Sequence, residues 1–212
     1  MAELCRICQT RRPRRYCPGV QGEICSLCCG EQREVTIQCP LDCPFLQEAR
    51  LHEKPAAERD RESLPNQDIR VPESFIREHE ELVLFCFVTL VEGALQTSGA
   101  IDADLLTALD ALIQTYRTTE SGLIYETRPD DRVAGAIQDA FENSLNAFQK
   151  ERHERQALSA YRPAEILVCL VFVQRAALMG VNGRPRGRAF IDATRLRLNI
   201  PIPKIRSTLL VS

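Results

Sequence analysis

From residue 73 onward, apolar side chains recur at three- and four-residue steps, the spacing of one face of an α-helix. Leu105, Leu109 and Leu112 follow this spacing, and Asp102 and Pro163 stand where helices commonly begin. Ser-Gly and Asn-Gly pairs separate the periodic segments. The pattern predicts helices over residues 73–96, 102–120, 132–155, 163–179 and, more briefly, 188–197. We therefore predict a mainly α protein with a four- to five-helix bundle.

The first 52 residues lack this periodicity and contain few aliphatic side chains, so they cannot fold on a hydrophobic core alone. Residues 53–72 combine dense charge and three prolines with almost no apolar side chains, as solvated linkers do. The sequence thus predicts three parts. They are a cysteine-rich module at 1–52, a charged linker at 53–72, and an all-α domain at 73–212 with a basic C-terminal tail.

The chain has ten cysteines, and eight of them lie between Cys5 and Cys43. The other two, Cys86 and Cys169, lie inside apolar helical runs, where cysteine usually behaves as a small buried hydrophobe. A Cys-x2-Cys turn places two sulfurs on one side of a loop, and each can reach a metal at about 2.3 Å. Four thiolates complete a tetrahedron, so eight predict two zinc ions. The predicted ligands are Cys5, Cys8, Cys17, Cys25, Cys28, Cys29, Cys39 and Cys43.

The spacing leaves two ways to divide these ligands. In an interleaved arrangement Cys5 and Cys8 share one ion with Cys25 and either Cys28 or Cys29. The remaining thiol of that doublet joins Cys17, Cys39 and Cys43. In a sequential arrangement the first ion takes Cys5, Cys8, Cys17 and Cys25, and the second takes Cys28 or Cys29, Cys39, Cys43 and His52. Adjacent residues seldom both reach the same ion, which makes the Cys-Cys doublet a natural point of division. We favour interleaving because spaced cysteine pairs most often cross over in compact two-zinc modules.

Other cysteine chemistry fits the pattern less well. The run of closely spaced cysteines typical of bacterial ferredoxins is missing, which disfavours an iron–sulfur cluster. A thioredoxin-type Cys-x-x-Cys needs a βαβ context that the predicted helices do not supply. A catalytic zinc keeps an open position, whereas eight cysteines can close two sites, so structural zinc is favoured. No phosphate loop, nucleophile elbow or zinc-protease helix occurs, and we predict that the protein is not an enzyme.

The segments CRIC, RRYCPGV and ICSLCC resemble the start of the HIT and MYND type of two-zinc finger. The resemblance covers about forty residues. Val20 stands where those fingers have a cysteine, and Cys39-Pro-Leu-Asp-Cys43-Pro replaces their closing histidine and cysteine. The first fifty residues also resemble cysteine-rich bacterial proteins of uncharacterised role. Both resemblances imply a zinc-binding N-terminal part, and neither implies a reaction.

Charge is unevenly distributed along a chain whose net charge is −2. Residues 11–15 read RRPRR, residues 184–206 have a net charge of +6, and residues 71–183 have one of −8. Such segregation is typical of a nucleic-acid footprint, or of a basic segment that docks on protein, including the acidic bundle of the same chain. The candidate contact residues are Arg11, Arg12, Arg14, Arg15, Arg184, Arg186 and Arg188. Because stacking aromatics are not interleaved with them, we favour protein docking.

The N-terminal residues lack the apolar run of a secretory signal, and the apolar stretches are shorter than a membrane span. These features predict a cytoplasmic protein without a membrane partner, in which clustered cysteines bind metal. The functional expectation is a protein-interaction adaptor held together by structural zinc. The alternative is a nucleic-acid-binding protein that uses the arginines at 11–15 and 184–206 on phosphates.

Overall fold

The computed structural model of the chain describes residues 4–53, 64–122, 125–156 and 159–203. Strands β1 (Arg15–Cys17) and β2 (Gly22–Ile24) form an antiparallel hairpin that pairs Arg15 with Ile24 and Cys17 with Gly22. Helices follow in the order α1 (Ser26–Gln32), α2 (Pro44–Leu51), α3 (Glu73–Glu78), α4 (Glu80–Gln96), α5 (Asp102–Glu120), α6 (Arg132–Gln156), α7 (Pro163–Gly180) and α8 (Ala189–Arg197). The mainly α fold with a small cysteine-rich N-terminal part is confirmed.

Four long helices make the bundle, because each has an apolar face that only another helix can cover. Helix α5 packs on α6 and α7, and α4 packs on the other side of the same pair. Fully buried leucines at 105, 109 and 112 form the inner face of α5, as the periodicity predicted. Gly93 lets α4 approach α6 closely, since a Cβ at this position would lie 3.3 Å from the Cβ of Ala140.

The predicted helix over 73–96 is two helices, and His79 is the break. Its φ and ψ of −114° and 29° are not helical. The imidazole stacks on the Phe75 ring with centroids 4.1 Å apart, and its Nδ1 lies 3.1 Å from the Phe75 carbonyl oxygen. The backbone hydrogen bonds from His79 N to the Phe75 carbonyl oxygen and from Val83 N to the His79 carbonyl oxygen are both made, at 2.9 Å. The interruption is therefore a change of backbone angles at the single residue between α3 and α4.

The described part of the predicted linker lies against the bundle. Arg117 of α5 pairs with Asp68 at 2.7 Å, and Arg175 of α7 donates to the carbonyl oxygens of Asn66 and Ile69 at 2.7 and 3.0 Å. The solvated linker expected over 53–72 is therefore not what the structure shows at 64–72. Its charged and amide groups find partners on the bundle, which charge density alone does not predict. Residues 54–63 of that segment lie outside the described residues.

Helix α7 is long and apolar enough to cross a membrane by length and composition, and no other helix among the described residues meets both criteria. The central helix of a bundle meets the same criteria. Ile166, Leu170 and Val173 of α7 are buried, and the helix packs on both α5 and α4. Its apolar composition is thus used within the bundle itself.

A buried network of charges joins the cysteine-rich module to the bundle. Arg50 of α2 lies between two carboxylates, with Nη2 at 2.7 Å from Glu34 and Nε at 2.8 Å from Asp192 of α8. Glu34 is 1% exposed and Asp192 is 0% exposed. Arg195 also pairs with Asp192, at 2.6 Å. Buried charges persist only when they are paired in this way, so the network fixes how the two parts pack.

Glu34 also holds the loop between α7 and α8. Its carboxylate accepts hydrogen bonds from the Asn182 side chain at 2.9 Å and from the Arg188 backbone N–H at 3.0 Å. Its carbonyl oxygen accepts a third, from the Arg186 N–H at 2.8 Å. On the bundle side of this loop, Asp102 accepts from the Phe190 and Ile191 N–H groups at the start of α8. Burial raises the pKa of Asp102 to about 6.

Candidate metal centre

Four cysteines from two distant Cys-x2-Cys turns meet at the N-terminal end of α1. The sulfurs of Cys5, Cys8, Cys25 and Cys28 all lie within 4.8 Å of one another. The Cys5 N–H donates to the Arg11 carbonyl oxygen at 2.8 Å and closes the first turn, and the Arg6 N–H donates to the Glu23 carbonyl oxygen of β2 at 2.9 Å. This first cysteine set could hold a metal ion, and it is the set that the interleaved arrangement groups.

Backbone donors surround these sulfurs. Cys25 is the N-cap of α1, and its Sγ accepts a hydrogen bond from Cys28 N at 3.4 Å. The Cys5 Sγ accepts one from Cys25 N at 3.2 Å. N–H donors and the positive end of a helix favour the thiolate over the thiol. The local fold is therefore suited to sulfur ligands that carry charge.

The thiols of the first set differ in how readily they ionise. Hydrogen bonds from the Thr10 side chain and backbone lower the pKa of Cys8 to about 5. Burial, together with the neighbouring thiols, raises the pKa of Cys28 to about 12. A bound divalent cation would bring both cysteines to the thiolate form, because a metal ion deprotonates its sulfur ligands. A cation accordingly supplies the charge that four clustered thiolates need.

The other four cysteines, Cys17, Cys29, Cys39 and Cys43, line one narrow cavity beside α2. Its free space is about 10 Å³, which is room for one water-sized atom. Among the described residues only the first set has all its sulfurs within 4.8 Å, so this second cysteine set is more widely spaced. Burial raises the pKa of Cys39 to about 11. The doublet is divided, with Cys28 in the first set and Cys29 in the second.

His52, the alternative ligand of the sequential arrangement, lies elsewhere. It is the exposed C-cap of α2 and lines an open hollow with Glu48 and Arg184. The two cysteines in the bundle also stand apart from the module. Both Cys86 and Cys169 are fully buried, and burial raises the pKa of Cys169 to about 12. Each thus occupies the kind of environment predicted for a packing residue.

The arginines of the basic loop 11–15 do not form one surface. Arg12 and Arg14 are exposed, whereas Arg15 is half-buried with its guanidinium 4.0 Å above the Phe45 ring. Arg11 is also exposed, and its interaction with the Cys25 thiol raises the pKa of Arg11. Arg15 is thus the one arginine of this loop whose side chain is half-buried against the module.

The described part of the second basic segment packs within the chain against both parts: its first residues contact the module, and α8 packs on α4, α5 and α7 of the bundle. Arg184 donates to the Arg33 carbonyl oxygen at 2.6 Å and lies 3.6 Å from Glu53. Arg188 is half-buried, and Arg186 has an exposed side chain. Lys204 and Arg206, which the sequence placed in the same basic tail, lie outside the described residues.

Glu34, Arg50 and Asp192 are the residues that sequence reasoning missed. No pattern in the surrounding sequence marks these residues as partners. Arg50 and Asp192, which form an ion pair in the structure, are more than a hundred residues apart in the chain. The one available signal is that Asp192 follows Phe190-Ile191 in a helix that packs on the bundle, where a carboxylate needs a partner.

Comparisons of the chain with protein-family models, curated proteins and solved structures find no match.

Proposed function

We propose that the protein is a zinc-binding interaction adaptor, in which structural zinc holds the cysteine-rich module in shape for a protein partner. The observation that carries this proposal is the convergence of four sulfurs, three of them from buried cysteines, at Cys5, Cys8, Cys25 and Cys28. Four sulfur ligands fill a tetrahedral zinc site and leave no position open for a substrate. The zinc would therefore stabilise the fold and take no part in a reaction.

The second cysteine set extends the proposal to a second zinc ion. Its cavity brings together all four remaining module cysteines and has room for a single small ion. In tetrahedral zinc coordination the sulfurs lie about 3.8 Å apart. Binding would draw this second set inward to that spacing, and metal would then supply the folding free energy that the module's few aliphatic residues cannot.

Purified protein is expected to contain close to two zinc ions per chain by elemental analysis, with no visible iron–sulfur absorbance. Cys25→Ser and Cys39→Ser are each expected to remove one ion, because they break different sets. Cys86→Ser is the matched control and should retain both ions. A brown protein, or less than one zinc per chain, would contradict the proposal. A single ion that Cys39→Ser leaves in place would contradict the second site.

The adaptor role rests on what the module exposes. Tyr16 of the hairpin is 55% exposed and Leu27 of α1 is 45% exposed. Arg12 and Arg14, which precede Tyr16 closely in the sequence, are exposed as well. Aromatic and arginine side chains are the residues most enriched at the centres of protein interfaces. A module that needs metal to fold yet presents such side chains is suited to holding a binding surface.

Nucleic-acid binding is the second candidate, favoured by the exposed side chains of Arg12, Arg14 and Arg186. We expect little binding of single-stranded RNA at physiological salt, because Arg15, Arg184 and Arg188 are half-buried against the rest of the chain. For any weak binding at low salt, the logarithm of the binding constant falls with the logarithm of the salt concentration. This slope should become shallower by about two units in the double variant Arg12→Gln, Arg14→Gln. Filter binding across a salt series measures both. Tight binding at physiological salt would establish the nucleic-acid function instead of the adaptor.

A further inference from the structure

We infer that Arg15 and Arg33 are the charge partners of the second cysteine set, and that they decide how tightly that set holds its metal. The inference rests on the proposed second zinc ion. Both arginines line the cavity formed by the four cysteines. The Arg15 Nη1 lies 3.9 Å from the sulfur of Cys29, within reach of a charge-assisted N–H···S contact.

The strand geometry explains why Arg15 faces the cysteines. Side chains alternate between the two faces of a strand, so Arg15 and Cys17 of β1 lie on the same face. Tyr16 between them is exposed. The Arg15 guanidinium stacks on the Phe45 ring, with its Cζ 4.0 Å from the ring centroid. Arg15 is thus held in place before any metal arrives.

Both arginines have a donor that the protein leaves unsatisfied. The Nε atoms of Arg15 and Arg33 are buried and find no hydrogen-bond acceptor among the described residues. Buried N–H donors nearly always have an acceptor, and the thiolates of a metal-bound site would supply one. The described ion pairs assign no carboxylate to either side chain. Sulfur lone pairs are the acceptors that line the same cavity.

The charges balance when zinc is bound. Four thiolates around one Zn²⁺ carry two units of negative charge, and two guanidinium groups beside them carry two units of positive charge. Without that compensation, thiolates in a buried site repel one another and favour protonation.

The test is chelator competition on the full-length, zinc-loaded protein, with the four variants Arg15→Gln, Arg33→Gln, Arg15→Lys and Arg14→Gln. Arg15→Gln and Arg33→Gln are each expected to weaken one of the two zinc ions by about 10- to 100-fold and to leave the other unchanged. Arg15→Lys should restore part of the loss. Arg14→Gln, which changes a neighbouring exposed arginine, should bind both ions like the unmodified protein.

Two further measurements separate charge from packing. Phe45→Leu removes the stacking and keeps the Arg15 charge, so it should weaken the ion by much less than Arg15→Gln. Thiol alkylation read by mass spectrometry should show that Arg15→Gln makes Cys17, Cys29, Cys39 and Cys43 reactive while the first set stays protected. Equal losses in Phe45→Leu and Arg15→Gln would overturn the inference. So would a two-zinc protein whose affinities Arg15→Gln leaves unchanged, whereas a protein with one zinc would refute the second site itself.

Discussion

Glu34→Gln is expected to destabilise the folded protein by about 3 kcal/mol, the usual cost of breaking a buried ion pair from one side. The substitution keeps the size of the side chain but removes the charge that Arg50 and the 182–188 loop require. Arg50 would retain only Asp192 and the partly exposed Glu53 as partners. Urea unfolding followed by far-UV circular dichroism measures the change.

Glu31→Gln is the matched control for this variant. Glu31 is an exposed acidic residue on α1, three positions before Glu34. Its replacement should change the free energy of unfolding by less than about 0.5 kcal/mol. If the two variants unfold at the same urea concentration, the Glu34 network does not hold the module on the bundle.

Removing metal is expected to unfold the cysteine-rich module and to lower the melting temperature of the bundle without unfolding it. The module helices have 7 and 8 residues, whereas α4 to α7 have 17 to 25 residues each and pack on one another. Most of the helical signal should therefore persist after chelation. The bundle should melt earlier because Asp192 loses Arg50 when α2 unfolds.

Hydrogen exchange read by mass spectrometry locates this change, because amides of residues 15–32 should lose protection and those of α5 and α7 should keep it. Restoring zinc should restore both the protection and the melting temperature. Loss of most helical signal on chelation would mean that module and bundle fold as one unit. An unchanged melting temperature would mean that the buried charges between them contribute little.

The helices of the bundle could be predicted from the sequence because apolar periodicity is a property of each helical segment by itself. Leucines at 105, 109 and 112 face inward wherever the helix lies in the molecule, so periodicity alone identifies them. The break at His79 could not, since the apolar periodicity continues through this residue and only its backbone angles depart from the helix. Local patterns therefore predict where helices occur better than where they end.

The candidate site was predictable to a similar extent. Cys-x2-Cys spacing predicts paired sulfurs, and the Cys28-Cys29 doublet predicts that two sets divide there. The roles of the arginines could not be predicted from the net charge of 11–15, because strand alternation and the position of Phe45 decide which of them face inward. Likewise, Glu34 and Arg188 are 154 residues apart, and no local pattern links them.

The 154 residues between Glu34 and Arg188 also set the order in which their contact can form during synthesis. The module leaves the ribosome first, but the loop that Glu34 holds follows about 150 residues later. At roughly 5 to 20 residues per second, the delay is about 8 to 30 seconds. During this interval Glu34 and Arg50 can pair with each other, but Asp192 and the 182–188 loop, which they also contact in the folded protein, have not yet been synthesised. The cysteine-rich module is therefore made well before the residues that its buried charges contact, and the packing of α8 against Arg50 comes later.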